Sequence, residues 1–100
     1  MDEITLEGDA QDRLLVLRGE VTVENAPALK DAVVEATRDG GTLVICAVGL
    51  TRLDAAGLQV LIAGARAARR AVLRGAAPPA WLAAFSRYAV EDPFDHESPC

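Results

Sequence analysis

The chain has 100 residues, of which 51% are hydrophobic and 4% aromatic, and a formal net charge of −5. A chain of this length forms a single domain, and so few aromatic residues predict a core of leucine, valine, isoleucine and alanine. The acidic balance argues against nucleic acid as a partner, and no apolar run is long enough for direct insertion into a membrane.

The N-terminal segment predicts two strands. In "EITLEGD", Ile4 and Leu6 alternate with polar residues, and a turn at Gly8 and Asp9 leads into the strand-like "RLLVLRGEVTV". Gly19 permits a bend or bulge within the second strand. The acidic start of the chain lacks the basic and apolar parts of a signal peptide, so a cytoplasmic protein is expected.

The following segment, "VENAPALKDAVVEATRDGG", predicts a helix. Asn25 is placed to cap its start, and Pro27 fits the first turn because the missing N–H would be unbonded there. Gly40 and Gly41 are expected to end the helix, since glycine accepts a left-handed conformation. The apolar run in "TLVICAVGL" then predicts a central strand.

The rest of the chain continues the alternation of strands and helices. Asp54 is placed to cap a helix that runs through "AAGLQVLIAGARAARR". The segment "AVLRG" predicts a strand, and "PPAWLAAFSRYA" predicts a short final helix. This order predicts one α/β domain over residues 1–90, while the acidic segment 91–100 is expected to be a loose tail.

The helix after Asp54 has two different faces. One face carries larger apolar side chains and is expected to pack on the sheet. Its members are Leu58, Leu61, Ile62 and Ala65. The other face is small, and it either packs tightly against the neighbouring helix or forms a docking groove for a partner's helix. Its members are Gly57, Val60, Gly64 and Ala67.

Basic residues are concentrated just after these faces. The last turns of this helix, where positive charge suits the helix dipole, are the expected position of the cluster. An acidic partner surface is the alternative explanation. The cluster consists of Arg66, Arg69, Arg70 and Arg74.

Few residues suit catalysis, since the chain has no P-loop, no G-x-G-x-x-G and no G-x-S-x-G. Cys46, inside an apolar strand, is interpreted as a core thiol and Cys100 as a terminal one, rather than as a disulfide framework. The proline-broken tail contains metal-ligand atoms but does not fix their geometry. We therefore predict a non-catalytic binding module with no cofactor and no metal. The tail residues with such atoms are Asp92, Asp95, His96, Glu97 and Cys100.

The stretch "VGLTRLDAAGLQVLIAGARAARR", preceded by the strand "LVICA", resembles the signature of the STAS domain (sulfate transporter and anti-sigma factor antagonist). The upstream "LLVLRGEVTVENAPALKDAVVEA" is also similar to that family, with a Gly-Glu strand and a first helix. The resemblance implies a single small mixed β-sheet with helices packed mainly on one face. It also implies that protein partners bind to the helix that begins at the turn and to the loop before it.

The resemblance also implies a lost phosphorylation site. In partner-switching antagonists a kinase-like anti-sigma factor phosphorylates a serine of this turn, and the added charge breaks the complex. That serine falls on Ala56, and the preceding position, often Ser or Thr, is Ala55, so neither accepts phosphate. The nearest hydroxyl is that of Thr51, on the loop. The candidate partner-binding residues are Thr51, Asp54, Ala55, Ala56, Gly57, Gln59, Val60 and Gly64.

Three functions are compatible with these observations. The first is a stand-alone bacterial STAS protein in signal transduction and transcription regulation, with a kinase-fold anti-sigma factor or a sensory kinase as its partner. The second is a cytoplasmic STAS subunit of an ABC lipid-transport system, bound to the transporter ATPase. The third is a nucleotide-binding protein, because a mixed α/β sheet can hold a ligand at its strand ends.

Overall fold

Five strands and three helices occupy residues 3–8, 13–38 and 41–97, which are the residues that this computed structural model describes. One sheet contains the strands in the order β1-β2-β3-β4-β5; β1 is antiparallel to β2, and the other neighbouring pairs are parallel. The strands are β1 (Ile4–Gly8), β2 (Arg13–Val21), β3 (Thr42–Leu53), β4 (Arg70–Arg74) and β5 (Asp95–Glu97). The helices are α1 (Ala26–Ala36), α2 (Ala55–Ala67) and α3 (Pro79–Arg87).

All three helices cover the same face of the sheet. Alternate residues of a strand point to opposite faces, and Leu15, Ile45 and Leu73 on the covered face are fully buried. They belong to one core cluster with residues of α1, α2 and α3. Val44, which points to the other face, is only partly buried. The predicted α/β fold, with a small mixed sheet and helices mainly on one face, is therefore confirmed.

Strand β2 contains the bulge that the sequence predicted. The register of β2 against β3 shifts between Val16 and Arg18 and again between Gly19 and Glu20. Gly19 has a φ of +62°, a left-handed conformation that glycine adopts without steric cost. The bulge bends β2 just before the loop that leads to α1, and so it helps to set the position of that loop.

Both ends of α1 differ from the prediction. Asn25 occupies the position before the helix but makes no side-chain cap; its amide instead accepts from the Thr22 N–H and donates to the Glu20 carbonyl. At the other end α1 stops at Ala36, and the Thr37 hydroxyl donates to the Val33 carbonyl at 2.8 Å. The helix thus ends before the glycine pair, of which Gly40 lies outside the described residues.

The segment after α3 is not the loose tail that the sequence predicted, as far as residue 97. The buried Phe94 packs against Trp81, with ring centroids 5.2 Å apart, and the Trp81 indole donates to the Asp92 carboxylate at 2.8 Å. β5 then pairs with β4, and the carboxylates of Asp95 and Glu97 raise the pKa of the Arg70 guanidinium through hydrogen bonds. The acidic composition of this segment led to the prediction that it is loose. The structure instead shows it held by two contacts with Trp81, the packing of Phe94 and the hydrogen bond to Asp92.

Two predictions about cysteine and arginine also need correction. Cys46 is disulfide-bonded, so it is not the core thiol that the sequence predicted. Cys100 lies outside the described residues. Of the basic cluster, only Arg66 lies in α2, because the helix ends at Ala67 and Arg70 already belongs to β4.

At the C-terminus of α3, Ala89 adopts a backbone conformation that is strained for any residue with a Cβ. The Val90 N–H donates to the Phe85 carbonyl and the Ala89 N–H to the Ser86 carbonyl, a Schellman motif that places Ala89 in the left-handed region with a φ of 52°. This conformation costs an alanine free energy because of its Cβ, and a glycine adopts it without that cost. Ala89→Gly is therefore expected to raise the free energy of unfolding by about 1 kcal/mol. Urea unfolding followed by circular dichroism measures this change. An unchanged or lower midpoint would contradict the assignment.

Candidate functional site

The turn between β3 and α2 is organised by one carboxylate. Asp54 is the residue before α2, and its Oδ1 accepts a hydrogen bond from the Gly57 N–H at 3.1 Å, which confirms the predicted cap. Its Oδ2 accepts from the Val23 N–H at 2.9 Å, a contact that the sequence did not indicate. Asp54 therefore joins the start of α2 to the loop between β2 and α1, and it fixes the two segments relative to each other.

Position 57 of this turn requires a glycine because other atoms of the protein fill the space that a side chain would occupy. A Cβ built on Gly57 would lie 2.9 Å from Leu53 Cδ1 and 3.1 Å from Val21 Cγ1. Real Cβ atoms essentially never approach other atoms to less than 3.0 Å. Gly57 is buried, whereas Ala55 and Ala56, which begin the helix, are half-buried. The part of the turn open to another molecule is thus made of two alanine side chains.

Gly64 is explained in the same way. A Cβ at this position would lie 2.5 Å from Val33 Cγ1 and 3.2 Å from Leu43 Cδ2. Since Val33 belongs to α1 and Leu43 to β3, the glycine allows α2 to approach both of them. At Gly64 the small face of α2 therefore serves tight packing against the neighbouring helix, the first of the two explanations that the sequence left open.

Residues of α1 and α2 line an apolar groove of about 560 Å³, here called the α1–α2 groove. Gly64 and Val33 lie on its lining. The exposed Val34, 54% accessible, forms part of one wall, and the exposed Gln59 part of the other. The groove begins at Ala56, so it is continuous with the turn. Its other lining residues include Ala26, Lys30, Val60, Ala63 and Ala67.

The predicted site residues lie in three places. Asp54, Ala55 and Gly57 form the turn at the start of α2, and the α1–α2 groove is lined by Ala56, Gln59, Val60 and Gly64. Thr51 lies elsewhere: it is an exposed residue of β3, not of a loop as predicted, because β3 continues to Leu53.

The side chain of Thr51 lines a separate cleft against α3, together with Arg52 and Arg87. The sequence missed the contribution of α1 to the groove. The available signal was Val34, an apolar residue outside the buried stripe of that helix.

The surface formed by the turn and the groove is mostly apolar. Among the described residues that line the groove, Lys30 is the charged one. In the part of the chain described here, no group of three or more His, Cys, Asp or Glu residues could hold a metal ion. No helix in those ranges is long and apolar enough to cross a membrane.

Comparisons with known proteins agree on the fold. Residues 4–94 match the family model described as "Mlab, STAS domain". An anti-sigma factor antagonist from Mycobacterium paratuberculosis superposes with a TM-score of 0.71 at 21% identity, over 96% of this chain and 85% of that one.

Two further structures superpose with TM-scores of 0.68. The anti-sigma factor antagonist SpoIIAA in its unphosphorylated form is 16% identical, over 97% of this chain and 88% of that one. An anti-sigma-factor antagonist (STAS) domain protein from Planctomyces limnophilus is 15% identical, over 97% and 91%. No curated protein matches the chain significantly in sequence. Because these identities are low, the superpositions establish the fold alone.

Proposed function

The chain belongs to the STAS domain family, and from this premise we propose that it is a non-catalytic, cytoplasmic protein-binding module that acts in bacterial signalling as an anti-sigma factor antagonist. Its partner is a kinase-fold anti-sigma factor. The partner contacts the turn at Ala55 and Ala56. Through this complex the protein regulates transcription.

The observation that carries the proposal is the construction of the turn. Asp54 fixes the first turn of α2 to the β2–α1 loop. The space beside Gly57 is occupied by side chains of Leu53 and Val21. The start of α2 is thus a rigid surface with two half-buried alanine side chains. Binding to a preformed surface loses little conformational entropy. Neither alanine has a hydroxyl group, so the partner's kinase activity has no acceptor there and the surface stays competent to bind.

The variant Ala56→Glu tests this proposal. A glutamate in the first turn of a helix suits the helix dipole, so the fold is expected to persist. In the complex, however, the carboxylate would be desolvated without a partner. Affinity for the kinase-fold anti-sigma factor, measured by titration calorimetry, is therefore expected to fall by about 30-fold or more, or about 2 kcal/mol.

The matched control is Ala83→Glu, which makes the same change at an exposed position of α3. It is expected to bind like the parent chain. A second variant, Ala56→Ser, supplies the missing hydroxyl and is expected to become a substrate for the partner's kinase activity. Equal affinity of Ala56→Glu and Ala83→Glu would remove the turn from the interface, and recovery of a transporter ATPase instead of an anti-sigma factor would favour the transport alternative.

A further inference from the structure

The α1–α2 groove is wide, apolar and continuous with the turn, and the proposed contact at Ala55 and Ala56 does not fill it. α1 has 11 residues, which corresponds to a groove length of about 16 Å at the rise of an α-helix. α1 and α2 follow neighbouring parallel strands and therefore run in the same direction. Their N-terminal ends, Ala26 and Ala56, lie together at one end of the groove.

Among the described residues that line the groove, Lys30 is the charged one and none carries a carboxylate. The exposed Asp31, next to Lys30 on α1, is not part of the lining. Arg66 is exposed and lies seven positions after Gln59, so it projects from the same side of α2 two turns later. Within the described residues neither Lys30 nor Arg66 takes part in an ion pair. Although the chain has a net charge of −5, Lys30 and Arg66 place two positive charges beside the apolar groove.

These features distinguish between possible occupants. A second copy of the chain would bring the same groove against itself, so two concave surfaces and two Lys30 side chains would meet without a carboxylate between them. An acyl chain needs a pocket that encloses most of its surface. This groove is open along its length, since Val34, Gln59 and Ala63 are all exposed. A helix fits, because the alanines of α2 allow a close approach of its backbone.

We propose that the α1–α2 groove binds an acidic amphipathic helix of the protein partner, about three turns long. Apolar side chains at positions i, i+3 or i+4, and i+7 of that helix enter the groove between Val34 and Val60, and its carboxylates face Lys30 and Arg66. The proposal rests on the protein-binding function argued above and adds to it a second contact, with a defined chemistry, beside the turn.

The test is selection from a displayed library of random peptides of about 15 residues, long enough to form such a helix. The intact protein is the target, and affinities of selected peptides are measured by fluorescence anisotropy. The expected sequences have apolar residues at helical spacing and an excess of Asp and Glu. Ala63→Gln, which fills the groove at an exposed position, is expected to weaken their binding at least about tenfold; Ala83→Gln on α3 is the matched control.

Charge reversal gives a second readout. The double variant Lys30→Glu with Arg66→Glu is expected to lose about tenfold in affinity for the acidic peptides, and to regain it when their carboxylates are replaced by lysine. The proposal is overturned if selection returns no helical acidic sequence, or if Ala63→Gln binds as well as Ala83→Gln. It is also overturned if the protein takes up oleate in place of peptide, or forms a dimer that Ala63→Gln abolishes.

The outcomes separate this inference from the proposed function. The selected peptides bind without the anti-sigma factor, so groove binding can be established even if that partner is wrong. In the opposite case, a complex that is sensitive to Ala56→Glu but unaffected by Ala63→Gln leaves the turn as the interface and removes the groove from it.

Discussion

Trp81→Ala is expected to lower the free energy of unfolding by about 4 kcal/mol, because it removes the largest fully buried side chain and leaves a cavity. Trp81 is 0% exposed and packs against Phe85, with ring centroids 5.3 Å apart, and against Phe94 at 5.2 Å. Its indole N–H donates to Asp92 at 2.8 Å. One side chain therefore connects α3 to the segment that leads into β5.

Thermal unfolding followed by circular dichroism measures this effect, since the variant retains no tryptophan for fluorescence. For a domain of this size the loss corresponds to a fall in Tm of about 15 °C or more. Trp81→Phe is the graded control. It keeps a ring against Phe94 but removes the donor to Asp92, which still accepts from the Phe94 N–H, and a loss of about 1.5 kcal/mol is expected. Losses below 1 kcal/mol for Trp81→Ala would show that the anchor is dispensable.

Gly64→Leu is expected to destabilise the fold by about 3 kcal/mol through overpacking between α1 and α2. The nearest obstacle is Val33, whose Cγ1 would lie 2.5 Å from the first added carbon. A β-branched side chain has little rotamer freedom in a helix, so the backbone of α1 has to move. Gly64→Ala gains about 1 kcal/mol in helix propensity, but the same overlap opposes the gain, and a smaller net loss is expected.

Ala63→Leu is the matched control, because it makes a comparable change one position earlier on α2, where the side chain is exposed. Its effect on the free energy of unfolding is expected to stay within about 0.5 kcal/mol. Chemical denaturation of the three variants and the parent chain gives the comparison. If Gly64→Leu and Ala63→Leu unfold at the same denaturant concentration, the contact between Gly64 and Val33 does not constrain the helix pair.

The features that sequence reasoning predicted are those set by neighbouring residues. The cap by Asp54 depends on an acceptor three positions before a helical N–H. The cover of helices on one face of the sheet was instead expected from the resemblance to the STAS family. The bulge at Gly19 follows from the conformational freedom of one residue. Recognition of the turn followed from a short pattern that includes Asp54, Gly57 and Leu58. Features of this kind can be predicted because the residues that determine them are close together in the sequence.

Most of the features that it missed depend on residues far apart in the chain. Nothing near Asp54 indicates its bond to Val23, 31 positions earlier. The groove also depends on how α1 and α2 are placed on the sheet. Its floor at Gly64 and its wall at Val34 belong to different helices. Spacing along one helix therefore could not decide between close packing and a docking groove.

The short β5 strand has a consequence for the behaviour of the protein at high concentration. It covers the outer edge of β4 at Val72 and Leu73, which would otherwise offer apolar residues and unpaired backbone groups to another chain. β5 itself is exposed, only three residues long, and carries Asp95 and Glu97. Edges of this kind are poor templates for further strand addition. By covering the edge of β4, β5 therefore reduces the tendency of the sheet to aggregate edge to edge.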